Sequence, residues 1–328
     1  MDRQGSQLEV SVVVPSHERV TRLRWLLNAL DGQTLPRDRW ELVVVHDSTD
    51  GTEELVTTHP LAAAGVLRRV RLEPGTGSPS RQRNTGWREA RAPLIAFTDD
   101  DCRPEPVWLE RLLEAAREHP GAIVQGATKP DPYEADIMRF APRPRSMEVD
   151  PPGPYAQTCN ILYPRAALER VGGFDESFPY PAGEDLDLAA RLWEEGVEYV
   201  GAPEALTYHA VDTFSLPAAV RFNRRWESIP LLMKRHPQLR EQLELGRVFW
   251  KRRHAMLPAA VAGAALHRRD PWFALLAVPW VLYALPHRGS HPMGRVRAAA
   301  ELAGRAVVDA SEMWALAKGS VKHRTFVL

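Results

Sequence analysis

The chain has 328 residues, enough for one large domain or one domain with an appendage. Its 44% hydrophobic and 26% charged residues are those of an ordinary folded soluble protein, and two cysteines exclude a disulfide framework. The formal net charge of zero conceals an asymmetry: residues 1–204 carry 23 Lys and Arg against 34 Asp and Glu, a net of −11, whereas residues 205–328 carry 19 against 8, a net of +11.

The first nine residues, Met1 to Glu9, are polar and lack the apolar core of a signal peptide, so the cytoplasm is the expected compartment. Val10 to Val14 reads as a buried strand, and Pro15-Ser-His-Glu-Arg19 as a turn. Leu23, Leu26, Leu27 and Leu30 then recur at helical spacing. A second strand, Leu42 to Val45, runs into His46-Asp-Ser-Thr-Asp-Gly51, a turn rich in side chains that bond their own backbone, and a helix follows over Thr52 to Thr58. Val66 to Leu72 is the third strand, Gly75 to Pro79 a flexible loop, Arg81 to Ala90 a helix, and Leu94 to Phe97 the fourth strand. Strand and helix alternate, which predicts an α/β fold: a mostly parallel, Rossmann-like sheet with helices on both faces, joined by right-handed crossovers.

Val107, Trp108, Leu109, Leu112 and Leu113 predict the next helix, and Ile123 to Gly126 a strand. Residues 129–154 hold seven prolines and read as a long loop or lid. Gln157 to Tyr163 is a strand, with Pro164 as the first residue of a helix running to Val171. Gly183 to Gly196 is a helix with acids at its start, and Val197 to Val200 and Ala205 to His209 are two short strands.

From Leu216 onward the chain is helical and basic. Two apolar patches, Met256 to Leu266 and Trp272 to Leu285, have cationic flanks: Lys251-Arg-Arg-His254, Arg268-Arg269 and His287-Arg288. Neither is a long, clean membrane span. Two readings stay open. The patches lie in an anionic membrane interface with Trp272 and Trp280 at headgroup level, or they form a buried helical hairpin. The aromatics are not interleaved with the cations, which argues against a nucleic-acid platform, and no nucleic acid partner is expected.

The chemistry gathers at Asp99-Asp-Asp101. These three carboxylates stand where a strand ends and a helix has not begun, the edge at which open α/β sheets bind ligands. Like charges so close call for a cation, and a hard divalent ion bridging to phosphate oxygens suits them. A solvated acidic loop whose last Asp caps the next helix is the plainer alternative.

Several motifs together resemble the inverting nucleotide-sugar glycosyltransferases of family 2, with the GT-A fold. They are Val12-Val-Val-Pro-Ser-His-Glu-Arg19, Val43-Val-Val-His-Asp-Ser-Thr-Asp-Gly-Thr52, Ser80-Arg-Gln-Arg-Asn-Thr-Gly86, Asp99-Asp-Asp101, Gly172-Gly-Phe-Asp175 and Gly183-Glu-Asp185. In the second motif His46-Asp47 stands one residue shorter than the usual acidic pair and glycine. The resemblance implies a catalytic domain over about 1–210, with a nucleotide half to about 103 and an acceptor half from about 104. A basic helical extension covers 211–328. Pro15, Glu18, Asp47, Arg83, Asn84, Asp99 and Asp100 would meet the donor, with Asp47 at the nucleobase and Arg83 and Asn84 at the phosphates. Asp101, Asp99 and His209 would hold Mg2+ or Mn2+, with Asp101 the first choice. Asp185, beside Glu184, would be the general base. The implied partners are a nucleotide-sugar donor, a UDP-sugar foremost, and a hydroxyl acceptor, either lipid-linked or a small metabolite, reached from the inner face of the membrane. Arg225-Trp226 resembles the end of the Gln-x-x-Arg-Trp signature of polymerising relatives, but Phe222 replaces the Gln, which favours single sugar addition.

Two other classes compete. A sugar nucleotidyltransferase needs a glycine-rich loop after the first strand, and Pro15 to Arg19 has no glycine. A non-catalytic relative that only binds nucleotide or glycan would lose the acids, and Asp99, Asp101 and Asp185 are all present.

Overall fold

The computed structural model describes residues 8–178, 180–285 and 292–328. It divides into two compact units, one of residues up to Ala135 with Arg145–Asp212, the other of Asp136–Pro144 with Thr213–Leu328. The proline-rich stretch therefore contributes to both, and it holds a 3-10 turn at Pro132–Glu134 and a helix at Ala135–Phe140 where loop alone was expected.

The first unit is built on eight strands: β1 (Val10–Ser16), β2 (Trp40–His46), β3 (Leu67–Arg71), β4 (Leu94–Thr98), β5 (Cys102–Pro104), β6 (Ile123–Pro130), β7 (Asn160–Pro164) and β8 (Tyr199–His209). Their order across the sheet is β3-β2-β1-β4-β7-β6-β8-β5. The pairs β1–β2, β2–β3, β1–β4 and β6–β8 are parallel. β7 runs antiparallel to β4 and β6, and β5 antiparallel to β8. Because β7 lies between β4 and β6 and opposes both, β1, β2, β4, β6 and β8 all point the same way. Their carboxyl ends, and hence Ser16, His46, Thr98 and His209, reach one edge.

Alternation along the strands supplies two cores, one on each face. Val10, Val12 and Val14 pack with Leu23, Leu26, Leu27 and Leu30 of the helix Val20–Asp31 and with Trp108, Leu109, Leu112 and Leu113 of the helix Trp108–Glu118. Val13, Val43, Val45, Ile95 and Phe97 face the other way, onto Trp87, Leu168, Leu188 and Leu192 from the helices Pro79–Glu89, Arg165–Val171 and Glu184–Glu194. The helix Pro79–Glu89 lies close to the sheet because residue 86 is glycine: a Cβ there would stand 2.3 Å from Val13 Cγ1.

Four local expectations change. β5 was not foreseen, because three residues are too few for a periodic pattern. The two short strands expected near 197–209 are one, β8; its register against β6 jumps between Ala202 and Thr207, around Pro203, which has no N–H to give the ladder. β6 continues past Gly126 to Pro130. Pro164 closes β7, paired with Leu94, and precedes its helix instead of opening it.

In the second unit the helix Arg252–Leu266, a 3-10 segment Pro271–Ala277 and the helix Val278–Ala284 pack with the 32-residue helix Pro292–His323. Leu257, Ala260, Trp280 and Ala284 form the buried seam, against Leu302 and Ala306. Trp280 Nε1 donates to Asp309 at 3.1 Å, so this tryptophan is core, whereas Trp272 is open to solvent. No described helix is long and apolar enough to cross a membrane.

Candidate active site

Two turns meet at the carboxyl edge and lock each other. The Val20 amide, first of its helix, donates to Asp50 at 2.8 Å, and the Glu18 amide to Ser48 Oγ at 2.9 Å. Glu18, at φ 52°, accepts from the Thr49 amide at 2.7 Å and the Thr49 hydroxyl at 2.9 Å. Pro15 is buried inside β1, opposite Val45. Asp47, expected at a nucleobase, is enclosed: its carboxylate meets His17 Nδ1 at 2.7 Å, Gln82 Nε2 at 2.9 Å and the Gly77 amide at 3.0 Å, and its side chain has no exposed surface. It organises the loop 75–79 rather than presenting a free carboxylate.

The three acids separate in role. Asp100 is buried and accepts from Ser16 Oγ at 2.8 Å. Burial, with Asp101 beside it, pushes its carboxyl up to about 8. Asp101 is buried too, paired with Arg19, which also reaches Asp100 at 3.7 Å and Asp212 at 3.4 Å. Asp99 is the most open of the three, at 28% side-chain exposure, and accepts from Arg83 Nη2 at 2.8 Å. Two arginines, Arg19 and Arg83, thus lie on the acid triplet.

Register brings the remaining ligand. Cys102 of β5 pairs with His209 of β8, and the Ala210 amide donates to the Asp101 carbonyl at 2.9 Å. His209 Nε2 then lies 3.5 Å from Asp101 Oδ1. His209 Nδ1 is 2.9 Å from the Ala210 carbonyl, an oxygen that can only accept, so Nδ1 donates there and Nε2 is the ring nitrogen on the side of the acids. One ligand atom each from Asp99, Asp101 and His209 lies within 4.8 Å of the others. Two carboxylate oxygens and one imidazole nitrogen fit Mg2+ or, better, Mn2+. A second such cluster, His254, Asp309 and Glu312, is different in kind: Lys251, Arg253 and Arg305 already pair with its acids, and it is a structural ion network within the second unit.

Arg83 joins this corner to the next. It is buried, with Nη1 3.2 Å from Glu184 and 3.5 Å from Asp185 and Nη2 on Asp99. Burial alone would lower its pKa, but the three carboxylates outweigh that and raise it. Glu184 has 4% side-chain exposure and Asp185 23%, so Asp185 is the more open of the pair. Burial and Asp185 push Glu184 up to about 8; burial also raises Asp185, opposed by Arg83 and by Thr158. Thr158 donates twice to Asp185, from its hydroxyl at 2.9 Å and its amide at 3.1 Å.

Asn84 departs from expectation. Its amide donates to the Phe174 carbonyl and to Glu176, each at 2.8 Å, and its oxygen accepts from the Phe174 amide at 2.9 Å and Trp87 Nε1 at 3.0 Å. It holds the loop 172–176, with both ends of its amide engaged there and on Trp87. Gly173 must be glycine there: its φ is +77° and a Cβ would sit 2.5 Å from Asn84 Oδ1. Sequence reasoning gave no role to Arg19, Ser16, Gln82 or Thr158. The first three lie inside motifs already singled out, so their position was a usable signal. Thr158 had none, since its partner Asp185 is 27 residues away.

A mostly parallel sheet with this site at its carboxyl edge is of the GT-A glycosyltransferase type. The solved mannosyltransferase PcManGT from Pyrobaculum calidifontis, in complex with GDP-Man and Mn2+, matches with a TM-score of 0.57, covering 97% of this chain and 87% of that one at 22% identity. Residues 11–172 match Glycosyl transferase family 2. The glycosyltransferase AglE of Haloferax volcanii is 33% identical over 218 residues, 62% of this chain and 68% of that protein. The chain belongs to glycosyl transferase family 2. The pre-mycofactocin glycosyltransferase of Mycobacterium tuberculosis is 31% identical over 214 residues, 62% of this chain, and the match spans 43% of that longer protein.

Proposed function

We propose that this chain is an inverting glycosyltransferase that moves one sugar from a nucleotide-sugar donor, a UDP-sugar first, to a hydroxyl acceptor. The carrying observation is Arg83, which bridges Asp99 of the Asp99–Asp101–His209 corner and the Glu184–Asp185 pair, so that a cation-binding and a basic corner adjoin. Asp185 takes the proton from the acceptor hydroxyl. The hydroxyl oxygen bonds to the anomeric carbon as the bond from that carbon to the phosphate oxygen breaks, and the nucleoside diphosphate leaves with the electron pair. One displacement inverts the anomer. Arg83 gives a fixed positive charge beside the departing phosphates. Asp99, Asp101 and His209 would hold a divalent cation, whose chemistry would be Lewis-acid neutralisation of the diphosphate. Thr158 keeps Asp185 oriented, and Glu184, with its raised pKa, holds a proton near neutrality and leaves the charge to Asp185.

The presence of GDP-Man and Mn2+ in the mannosyltransferase supports a nucleotide-sugar donor and a divalent ion here, and leaves the base to be tested. The open apolar surface and excess positive charge of the C-terminal region support peripheral contact with an anionic membrane and a lipid-linked acceptor. The test is a panel of UDP-, GDP- and dTDP-sugars with manganese, scored by thermal shift and donor hydrolysis, on the wild type and Asp101→Ala. The variant should lose the metal-dependent shift and hydrolysis. Full activity of the wild type in EDTA would remove the metal from the reading.

A further inference from the structure

The outer face of the C-terminal hairpin is apolar and uncovered. Its inner face is satisfied: Leu257, Ala260, Trp280 and Ala284 are buried, and Gly263 lets the helix Arg252–Leu266 approach the Phe273 carbonyl so closely that a Cβ would meet it at 2.6 Å. Outside, Trp272 is 76% exposed, Leu282 68% and Val261 58%, and Leu275, Leu276 and Tyr283 are open as well. Monomeric soluble surfaces rarely leave so many large apolar side chains adjacent and bare.

Charge selects what covers this face. Of the nine Lys and Arg between Glu244 and Glu301, Arg247, Lys251, Arg252, Arg253 and Arg297 pair with Glu241, Glu312, Glu244, Asp309 and Glu301, and the one acid inside that stretch is Asp270. The Asp270 carboxylate is engaged by the Trp272 amide at 3.0 Å. Arg268 and Arg269 stand exposed at the turn between the helix and the 3-10 segment, separated from Trp272 by Asp270 and Pro271. Two copies meeting through this face would bring Arg268 and Arg269 of each together, whereas an anionic headgroup layer attracts these two arginines and accepts the apolar side chains beneath. An amphipathic hairpin of this kind lies in the interface plane without crossing it.

We infer that this hairpin docks on an anionic lipid bilayer through Trp272, Leu275, Leu276 and Leu282, with Arg268 and Arg269 in the headgroup layer and Trp280 remaining inside the protein. The inference rests on the membrane contact included in the proposed function and is independent of the transfer chemistry. It fixes the face and the residues.

The experiment is flotation of the purified full chain with phosphatidylcholine vesicles, with and without phosphatidylglycerol, at low and high salt. The wild type floats only with phosphatidylglycerol and is released by salt. Leu275→Glu combined with Leu276→Glu lowers partitioning at least about tenfold, and Arg268→Glu combined with Arg269→Glu does the same. Trp314→Ala, which removes another exposed tryptophan from the helix Pro292–His323, leaves it unchanged. Quenching of tryptophan fluorescence by brominated lipid is lost in Trp272→Phe, a substitution at an exposed site that keeps the fold. Circular dichroism confirms that each variant is folded. If the wild type floats but the leucine variant floats equally, the face is wrong while membrane contact stands. If the wild type never floats, both fail. If the wild type is a dimer that the leucine variant turns into a monomer, the face belongs to a second copy of the chain.

Discussion

Asp185 is held from two sides by opposite means: Thr158 fixes its direction and Arg83 balances its charge. Asp185→Asn keeps the shape and removes the basicity, so donor binding should survive while turnover falls about a hundredfold or more. Titration calorimetry and single-turnover rates separate the two, and NMR of the product anomer checks inversion in the wild type. Wild-type-like turnover in the variant, or a retained anomer, ends the assignment. Arg19 has another task. Its guanidinium rests on Asp101, is 41% exposed, and has Asp212 within 3.4 Å as a second partner. It is therefore a counter-ion that can yield. Removing a positive charge from a carboxylate proposed to hold a divalent ion strengthens such binding, and Arg19→Ala should tighten Mn2+ by about tenfold, read by electron paramagnetic resonance without any substrate. Unchanged or weaker binding would show that Arg19 does not compete for Asp101.

At the scale of elements, the helix Pro79–Glu89 carries both Gln82 and Arg83 to the edge, and its distance from the sheet sets where they reach. Gly86 controls that distance. Alanine in a helix interior usually gains about 1 kcal/mol over glycine. Here the added methyl would lie 2.3 Å from Val13 Cγ1 and 3.2 Å from Val45 Cγ2, side chains on adjacent central strands. Overpacking of that kind costs about 1–3 kcal/mol, so the sign reverses. Gly86→Ala should lower the denaturation midpoint and displace Arg83, and a more stable variant would mean that the helix can shift at no cost. The strand pair β5–β8 works similarly for His209, since a slip of one residue in the register Cys102–His209 turns the imidazole to the other face.

Across the whole molecule, buried acids make stability depend on pH. The Glu184 carboxyl moves from an ordinary 4.5 to about 8 on folding. Between those values the folded chain retains a proton that the unfolded chain releases, so stability falls as pH rises through this window and levels off above about 8. Glu184→Gln cannot release that proton. Thermal midpoints from pH 5 to 9 should therefore decline less steeply in the variant than in the wild type, in the absence of metal. Equal slopes would show that Glu184 ionises freely in the folded chain. The charge asymmetry between the two ends of the sequence is the other feature at this scale: the net of −11 over residues 1–204 includes the acids that gather at the carboxyl edge of the sheet, and the net of +11 over 205–328 includes the exposed Arg268 and Arg269 of the hairpin.

Local pattern was enough for the strands β1 to β4, the helices between them and the acid triplet. In each case the information is contiguous: alternating or 3.6-residue burial sets the backbone state, and a strand end places whatever follows it at an edge. The sequence by itself thus determined an α/β sheet with carboxylates at its carboxyl edge. Only the tertiary structure decided which groups share that edge. Arg83 meets Glu184 and Asp185 across 101 and 102 residues, and Arg19 meets Asp101 across 82. His209 comes to Asp101 through a three-residue strand too short to leave a pattern. Asp47 and Asn84, both legible as polar residues in motifs, bind groups distant in the chain, Asp47 the Gly77 amide and Asn84 the Phe174 backbone, because a side chain's partner depends on what folds back onto it. The same holds for two tryptophans eight residues apart in one apolar run. Trp280 finds Asp309 and is buried, Trp272 finds solvent, and the contacts that separate them come from a helix that begins only after both.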